Sequence, residues 1–228
     1  DAFAGAGVLF VKFNFSHNGG TPEQPIDFPD LEAFGNNNYL IELDDLGTVI
    51  EHVRAEFATI GNTDNITLIG HSRGGGICVL GASRYNVQRL VTWASIASTY
   101  ERLPHDRLEE WKEKRVLYAP NVRTGQDMPM YYQFYEAIIN NRELLDLERA
   151  ARGMDIPSLI VHGTNDESVS PGAATQLHRW VKGSELLMVE GAGHTFGSKQ
   201  PWDTPNIPAE LAHITERTIA FIRNEYRS

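Results

Sequence analysis

Residues 68–76 read Leu-Ile-Gly-His-Ser-Arg-Gly-Gly-Gly, one hydroxyl set among four glycines. Glycine is useful where the backbone must turn sharply or come close to something else. The run 66–69 just before is short and apolar, as a strand buried on both faces requires. The stretch after it, 73–84, reads as a helix. Strand, tight turn and helix form the setting of the G-x-S-x-G nucleophile elbow, here Gly70-His71-Ser72-Arg73-Gly74. Such a turn aims the Ser72 oxygen away from the sheet. Gly70 and Gly74 are expected to remove Cβ atoms that would collide where helix passes strand. The backbone N–H of Arg73, near the helix N-terminus, is the expected donor to a developing oxyanion. The duller reading is a glycine-rich turn with an incidental serine. A phosphate loop is excluded, because the G-K-[ST] ending is missing, and G-x-G-x-x-G is not completed either.

Working outward, the pattern alternates. Residues 8–15 (VLFVKFNF) read as a strand, ending in a turn-rich stretch, 16–29, with two glycines and three prolines. Leu43, Leu46, Val49, Ile50, Val53 and Phe57 follow helical spacing. Beyond the elbow, 90–95, 158–162 and 185–189 read as strands, 172–181 as a helix, and 208–226 as a long final helix. This alternation predicts an α/β, doubly wound, mostly parallel sheet within a single domain spanning 1–228. Residues 99–152 break it. They are charged and aromatic, read as mostly helical without a convincing strand, and are expected to form a lid inserted between two strands. Ligands of such sheets bind beyond the carboxyl ends of the strands.

A serine hydroxyl needs a base, and the base needs a third group to fix its tautomer. The elbow predicts the order Ser, then Asp or Glu, then His. The strand 158–162 is followed by Gly163-Thr164-Asn165-Asp166, and the strand 185–189 by Glu190-Gly191-Ala192-Gly193-His194. Asp166 and His194 thus fall past successive strand tails, on the sheet edge expected for Ser72. Among rivals, His17 follows a strand tail but precedes the serine, and His71 is locked in the elbow with its ring expected to turn away from Ser72. His52 and His178 lie in helices, and His162 is expected to support the loop carrying Asp166. Glu167 is displaced by one residue, and Glu190 lies too close to its own strand. A metal set at 162, 166 and 194 would displace the serine mechanism, and no H-E-x-x-H is present. No metal is expected.

Composition bounds the rest. With 228 residues, 41% hydrophobic and 22% charged, the chain is ordinary for a globular protein. A formal net charge of −10 argues against nucleic acid as a partner. No apolar run approaches the roughly 20 residues needed to span a bilayer. The lone Cys78 permits no internal disulfide and points to a reducing, cytoplasmic compartment.

Taken together, Phe13-Asn14-Phe15-Ser16-His17-Asn18-Gly19, the elbow at 70–74, His162-Gly163-Thr164-Asn165-Asp166 and Gly191-Ala192-Gly193-His194 resemble the α/β-hydrolases over nearly the whole chain. The pattern is similar to their serine-aminopeptidase-like and feruloyl-esterase-like branch, often called dienelactone-hydrolase-like, although true dienelactone hydrolases use cysteine where this elbow has serine. The resemblance implies an acyl-serine intermediate and no cofactor. The residues support a serine hydrolase of small acyl or aryl carboxylic esters. A peptidase or amidase on the same Ser72, Asp166 and His194, and a hydrolase-fold binding protein without turnover, stay open. Met128, Tyr131, Tyr132, Tyr135, Ile138 and Ile139 lie at helical spacing and are expected on the buried face of a lid helix. Tyr131 and Tyr135 at its edge, with Trp93, are expected to line an apolar substrate pocket. There is one departure. The family begins with further strands and a His-Gly-type loop that supplies a second oxyanion amide. Here 1–7 reads as the tail of the helix after that loop, so the chain is read as an N-terminally incomplete copy.

Overall fold

The computed structural model describes residues 2–25, 27–199, 202 and 206–224. In chain order the elements are α1 (Ala2–Gly5), α2 (Leu31–Asn36), α3 (Tyr39–Glu56), β1 (Thr67–His71), α4 (Arg73–Arg84), β2 (Arg89–Trp93), α5 (Leu108–Lys114), β3 (Val116–Asn121), β4 (Gln126–Tyr131), α6 (Gln133–Asn140), α7 (Leu147–Gly153), β5 (Ser158–Gly163), α8 (Gly172–Trp180), β6 (Glu185–Val189) and α9 (Ala209–Ile222). They fall into two compact units, one of residues 1–11, 53–98 and 146–228, the other of 12–52 and 99–145.

The first unit holds a four-stranded parallel sheet in the order β1-β2-β5-β6. Along its strands, side chains alternate between faces. Val91, Leu159 and Val161 share a cluster with Ile214 and Phe221 of α9, closed by Ala94, Val189, Ala192 and Phe196. Leu90 and Ile160, the alternating residues, point to the opposite face and are also buried. Helices cover both faces because every strand is joined to the next by a crossover, the arrangement expected of a doubly wound α/β fold. The final helix was expected to reach 226; α9 ends at Ile222, and 226 lies outside the described residues, as does residue 1 of the expected N-terminal helix tail.

The expected strand at 8–15 is not formed. Among the described residues no strand pairs with it, and Leu9, Phe10 and Val11 are 46%, 48% and 40% exposed. β-branched and aromatic residues favour extended backbone, but a strand exists only with a partner to share its ladder. Phe10 instead stacks on Phe3, ring centroids 4.7 Å apart.

The second unit corrects the helical expectation for 99–152. Within it β3 and β4 pair antiparallel from Val116↔Tyr131 to Asn121↔Gln126. The turn between them uses Asn121, whose Oδ1 accepts from the N–H groups of Arg123 and Thr124, and Gly125 at φ +70°. Pro120 and Pro129 sit within the strands, tolerated because both strands of a two-stranded ribbon are edges. Met128 and Tyr131 are therefore strand residues, and only 133–140 of that stretch is helix α6. The aromatic anchor is Trp111 on α5. It is wholly buried, donates from Nε1 to the Met130 carbonyl at 2.8 Å and meets Tyr132 edge-on. Residues 146–152, expected in the insertion, belong to the first unit, where α7 packs on α4.

Candidate active site

The site lies in the first unit and begins with the exit from β1. The ladder runs one residue past His71, since the Ser72 N–H donates to the Trp93 carbonyl at 2.9 Å. Ser72 then takes φ 55°, ψ −120°, a conformation strained for any residue with a Cβ. Three amides hold it there: Gly75, Gly76 and Ile96 N–H donate to the Ser72 carbonyl at 3.0, 3.4 and 3.3 Å. A Cβ on Gly70 would lie 2.3 Å from the Gly74 carbonyl oxygen and 2.7 Å from the sulfur of buried Cys78. The expectation for Gly74 needs correction, because a Cβ there meets nothing within 4 Å. The crowded glycine is Gly75, whose Cβ would come within 2.5 Å of the Ser95 side chain. Arg73 opens α4, so its N–H stands at the positive end of a twelve-residue helix.

Asp166 and His194 arrive on two loops that are stitched together. Thr164 N–H donates to the Val189 carbonyl, Asn165 N–H to the Ala192 carbonyl, and Gly191 N–H to Thr164 Oγ1, at 3.0, 3.0 and 2.8 Å. The approach is so close that a Cβ on Gly163 would lie 2.1 Å from the Ala192 oxygen. This glycine fixes the spacing of the two loops, and through them the spacing of the acid and the imidazole.

Ser72, Asp166 and His194 meet. His194 Nδ1 lies 2.8 Å from Asp166 Oδ2, and its Nε2 lies 3.0 Å from Ser72 Oγ. A carboxylate only accepts, so Nδ1 carries the hydrogen and Nε2 offers its lone pair to the serine hydroxyl. Asp166 is buried, which alone would push its pKa up. Hydrogen bonds from Val169 N–H, from His194 and from Ser168 N–H outweigh that and hold the carboxyl below its ordinary range. The acid thus stays ionised against the imidazole it orients.

Two further histidines belong to the site. His162 on β5 is fully buried, with Nε2 3.0 Å from the Val169 carbonyl and 3.1 Å from Asp166 Oδ2. His71 was expected only to turn away from Ser72. Its ring packs on that of His194, centroids 4.7 Å apart, and its Nε2 donates to the His194 carbonyl at 2.9 Å. Desolvation lowers the His71 pKa more than this hydrogen bond raises it, and nearby His194 adds to the lowering. His71 is therefore a strut that holds the His194 loop through its backbone. Nothing in the sequence signals it, since the contact joins residues 123 apart.

The remaining expected residues lie elsewhere. Trp93 donates from Nε1 to Thr218 of α9 at 3.1 Å and meets Phe196 edge-on, so its indole is engaged in the packing under α9. Tyr131 and Tyr135 belong to the second unit. The Tyr131 hydroxyl donates to Glu32 at 2.6 Å, which raises its pKa, while Tyr135 stacks on Tyr132. His17, the rival base, has its Nδ1 2.8 Å from Ser16 Oγ. Among the described residues no group of three or more His, Cys, Asp or Glu side chains is arranged to hold a metal ion. Nor is any described helix long and apolar enough to cross a membrane.

Comparison with known proteins gives the same architecture. The alpha/beta hydrolase family model matches residues 2–204. A curated relative, the AB hydrolase superfamily protein YisY of Bacillus subtilis (strain 168), is 25% identical over 199 residues, 72% of each chain. Among solved structures, that of the metagenome-derived lipolytic enzymes LipS and LipT superposes with a TM-score of 0.69 at 16% identity, covering 98% of this chain and 85% of the other. Est1E from Butyrivibrio proteoclasticus with ferulic acid bound gives 0.61 at 17% identity, covering 86% and 72%. At these identities the structural likeness is one of fold.

Proposed function

Because this chain belongs to the alpha/beta hydrolase family, we propose that it is a serine hydrolase acting on carboxylic esters of small acyl or aryl acids. The observation that carries the reading is the unbroken line from Asp166 through His194 to Ser72, with both hydrogen bonds at 3.0 Å or less. In this reading Ser72 Oγ attacks the ester carbonyl while His194 Nε2 takes its proton. The Arg73 N–H donates to the oxyanion, and the imidazolium is balanced by Asp166 through Nδ1. His194 then protonates the departing alkoxide. Water, deprotonated in turn by His194, releases the acid from the acyl-serine. The neighbouring structures named for lipolytic enzymes and for an esterase holding ferulic acid favour esters over amides as first substrates.

The test is fluorophosphonate labelling together with hydrolysis of p-nitrophenyl esters and aminoacyl anilides. The native chain is expected to label and to prefer the esters, and Ser72→Ala to do neither. Labelling that survives Ser72→Ala would eliminate the nucleophile. A lid role for 99–152 is part of the same reading. Shortening that stretch should then change the preferred acyl length while acetate ester hydrolysis persists.

A further inference from the structure

His162 has no task in the mechanism above, yet it is fully buried beside the acid. Its Nδ1 is buried and has no hydrogen-bond partner among the described residues. A carbonyl oxygen only accepts, so the approach of Nε2 to the Val169 carbonyl places the ring hydrogen on Nε2. The same nitrogen lies 3.1 Å from Asp166 Oδ2, the oxygen that receives the His194 Nδ1–H. The other oxygen, Oδ1, accepts from Ser168 N–H at 2.8 Å and Val169 N–H at 2.9 Å. Val169 links the two residues: its carbonyl accepts from His162 Nε2–H and its N–H donates to Asp166 Oδ1, with the imidazole edge packed against Oδ2. Three donors, Ser168 N–H, Val169 N–H and His194 Nδ1–H, meet the carboxylate, and His162 anchors the second of them through its carbonyl.

We propose that His162 is a positioning residue for the hydrolytic reaction, clamping the Asp166 carboxylate so that Oδ2 stays aimed at His194. This rests on the Ser72–His194–Asp166 reading. Two backbone amides alone hold Oδ1 and leave the carboxylate free to pivot about it. His162 opposes that motion by holding the Val169 carbonyl and by packing its Nε2 edge against Oδ2, and its unused Nδ1 is the cost of a side chain kept for one nitrogen. Packing by itself does not call for an imidazole, because an apolar side chain of similar size fills a buried strand position without stranding a polar atom.

The experiment compares His162→Leu, which removes the donor, with His162→Gln, whose amide N–H reaches the depth of Nε2. With p-nitrophenyl acetate, His162→Leu is expected to lower kcat about ten- to hundredfold, as for outer partners of functional histidines in general. KM should stay within about twofold, and His162→Gln should recover kcat to within about threefold of the native chain. The far-downfield proton signal of the His194 Nδ1–H should shift in His162→Leu and return in His162→Gln, a readout that needs no turnover. If His162→Leu does not fold, His162→Asn, whose amide stops at the depth of Nδ1, takes its place. Equal losses in the Leu (or Asn) and Gln variants, or an unmoved proton signal, overturn the proposal. So does a kcat loss that persists undiminished in an Asp166→Ala background, since the effect must pass through that carboxylate. Hydrolysis retained by Ser72→Ala would instead show that the underlying triad reading had failed.

Discussion

In residues 67–93 two strands run parallel, with the helix α4 between them. In residues 116–131 two strands run antiparallel, with only the turn 122–125 between them. The first pair is made of Thr-Leu-Ile-Gly-His and Arg-Leu-Val-Thr-Trp, strands packed on both faces. The second is Val-Leu-Tyr-Ala-Pro-Asn against Gln-Asp-Met-Pro-Met-Tyr, in which Leu117 and Met128 are buried and the Met130 carbonyl accepts from Trp111, while Tyr118 is 56% exposed. The middle of a strand packed on two sides must be apolar, as Leu68-Ile69 and Leu90-Val91 are, so composition announces it. A ribbon strand is defined by its partner and its turn, and its residues can be nearly anything. The two regions therefore differ in where their structural information sits, in the residues for one and in the pairing for the other.

This contrast can be broken or sharpened at several sites. The largest effect is expected from Asp166→Asn, which keeps the hydrogen-bonding shape but reverses the His194 tautomer. Ester hydrolysis should fall by about 10⁴ in kcat, with the circular dichroism and melting curve retained. A loss of only a few-fold would remove Asp166 from the proposed chemistry. Next comes Trp111→Ala in the other unit, a cavity expected to cost about 3–5 kcal/mol. Hydrogen exchange should accelerate within 12–52 and 99–145 first. Equal acceleration through β1, β2, β5 and β6 would show that the two units unfold as one.

Within the parallel region, Gly70→Ala places a methyl against the Gly74 carbonyl and should cost about 1–3 kcal/mol in urea denaturation. Gly74→Ala, with open space at its Cβ, should gain about 0.5–1 kcal/mol by restricting the unfolded chain and favouring helix. The reverse order would contradict the close approach at the elbow. The smallest effect is an acid one. Asp166 has a folded pKa below 3.8, so it contributes stability above the unfolded value that is lost as pH falls through the folded one. Urea midpoints followed from about pH 5 to about pH 2 should therefore fall less steeply in Asp166→Asn than in the native chain.

The same contrast explains how much could be read from the amino acids. The bounds of α4 and β6, the tails of β5 and β6, and the residues Ser72, Asp166 and His194 were legible because parallel strands and their carboxyl-end loops follow strict spatial rules. The segment 8–15 misled for the opposite reason. Its composition suits a strand, but composition says nothing about whether a neighbour lies alongside. At 116–131 the charged and aromatic composition read as helix, and the signal that could have found the strands was the Asn121–Gly125 turn between them. The packing of His71 on His194 carries no local signature at all, whereas His162, four residues before Asp166, was expected to support its loop. The first joins residues 123 apart, the second lies within one strand end and its own loop.

The lone sulfhydryl of this chain, Cys78, lies in the second turn of α4 close to Gly70, and burial pushes its pKa up to about 12. At neutral pH it is a protonated, buried thiol, so an alkylating reagent meets it only when the helix that follows Ser72 lifts away. Uptake of such a reagent then times that excursion directly, and the protein carries a built-in clock for the part of its scaffold nearest the chemistry.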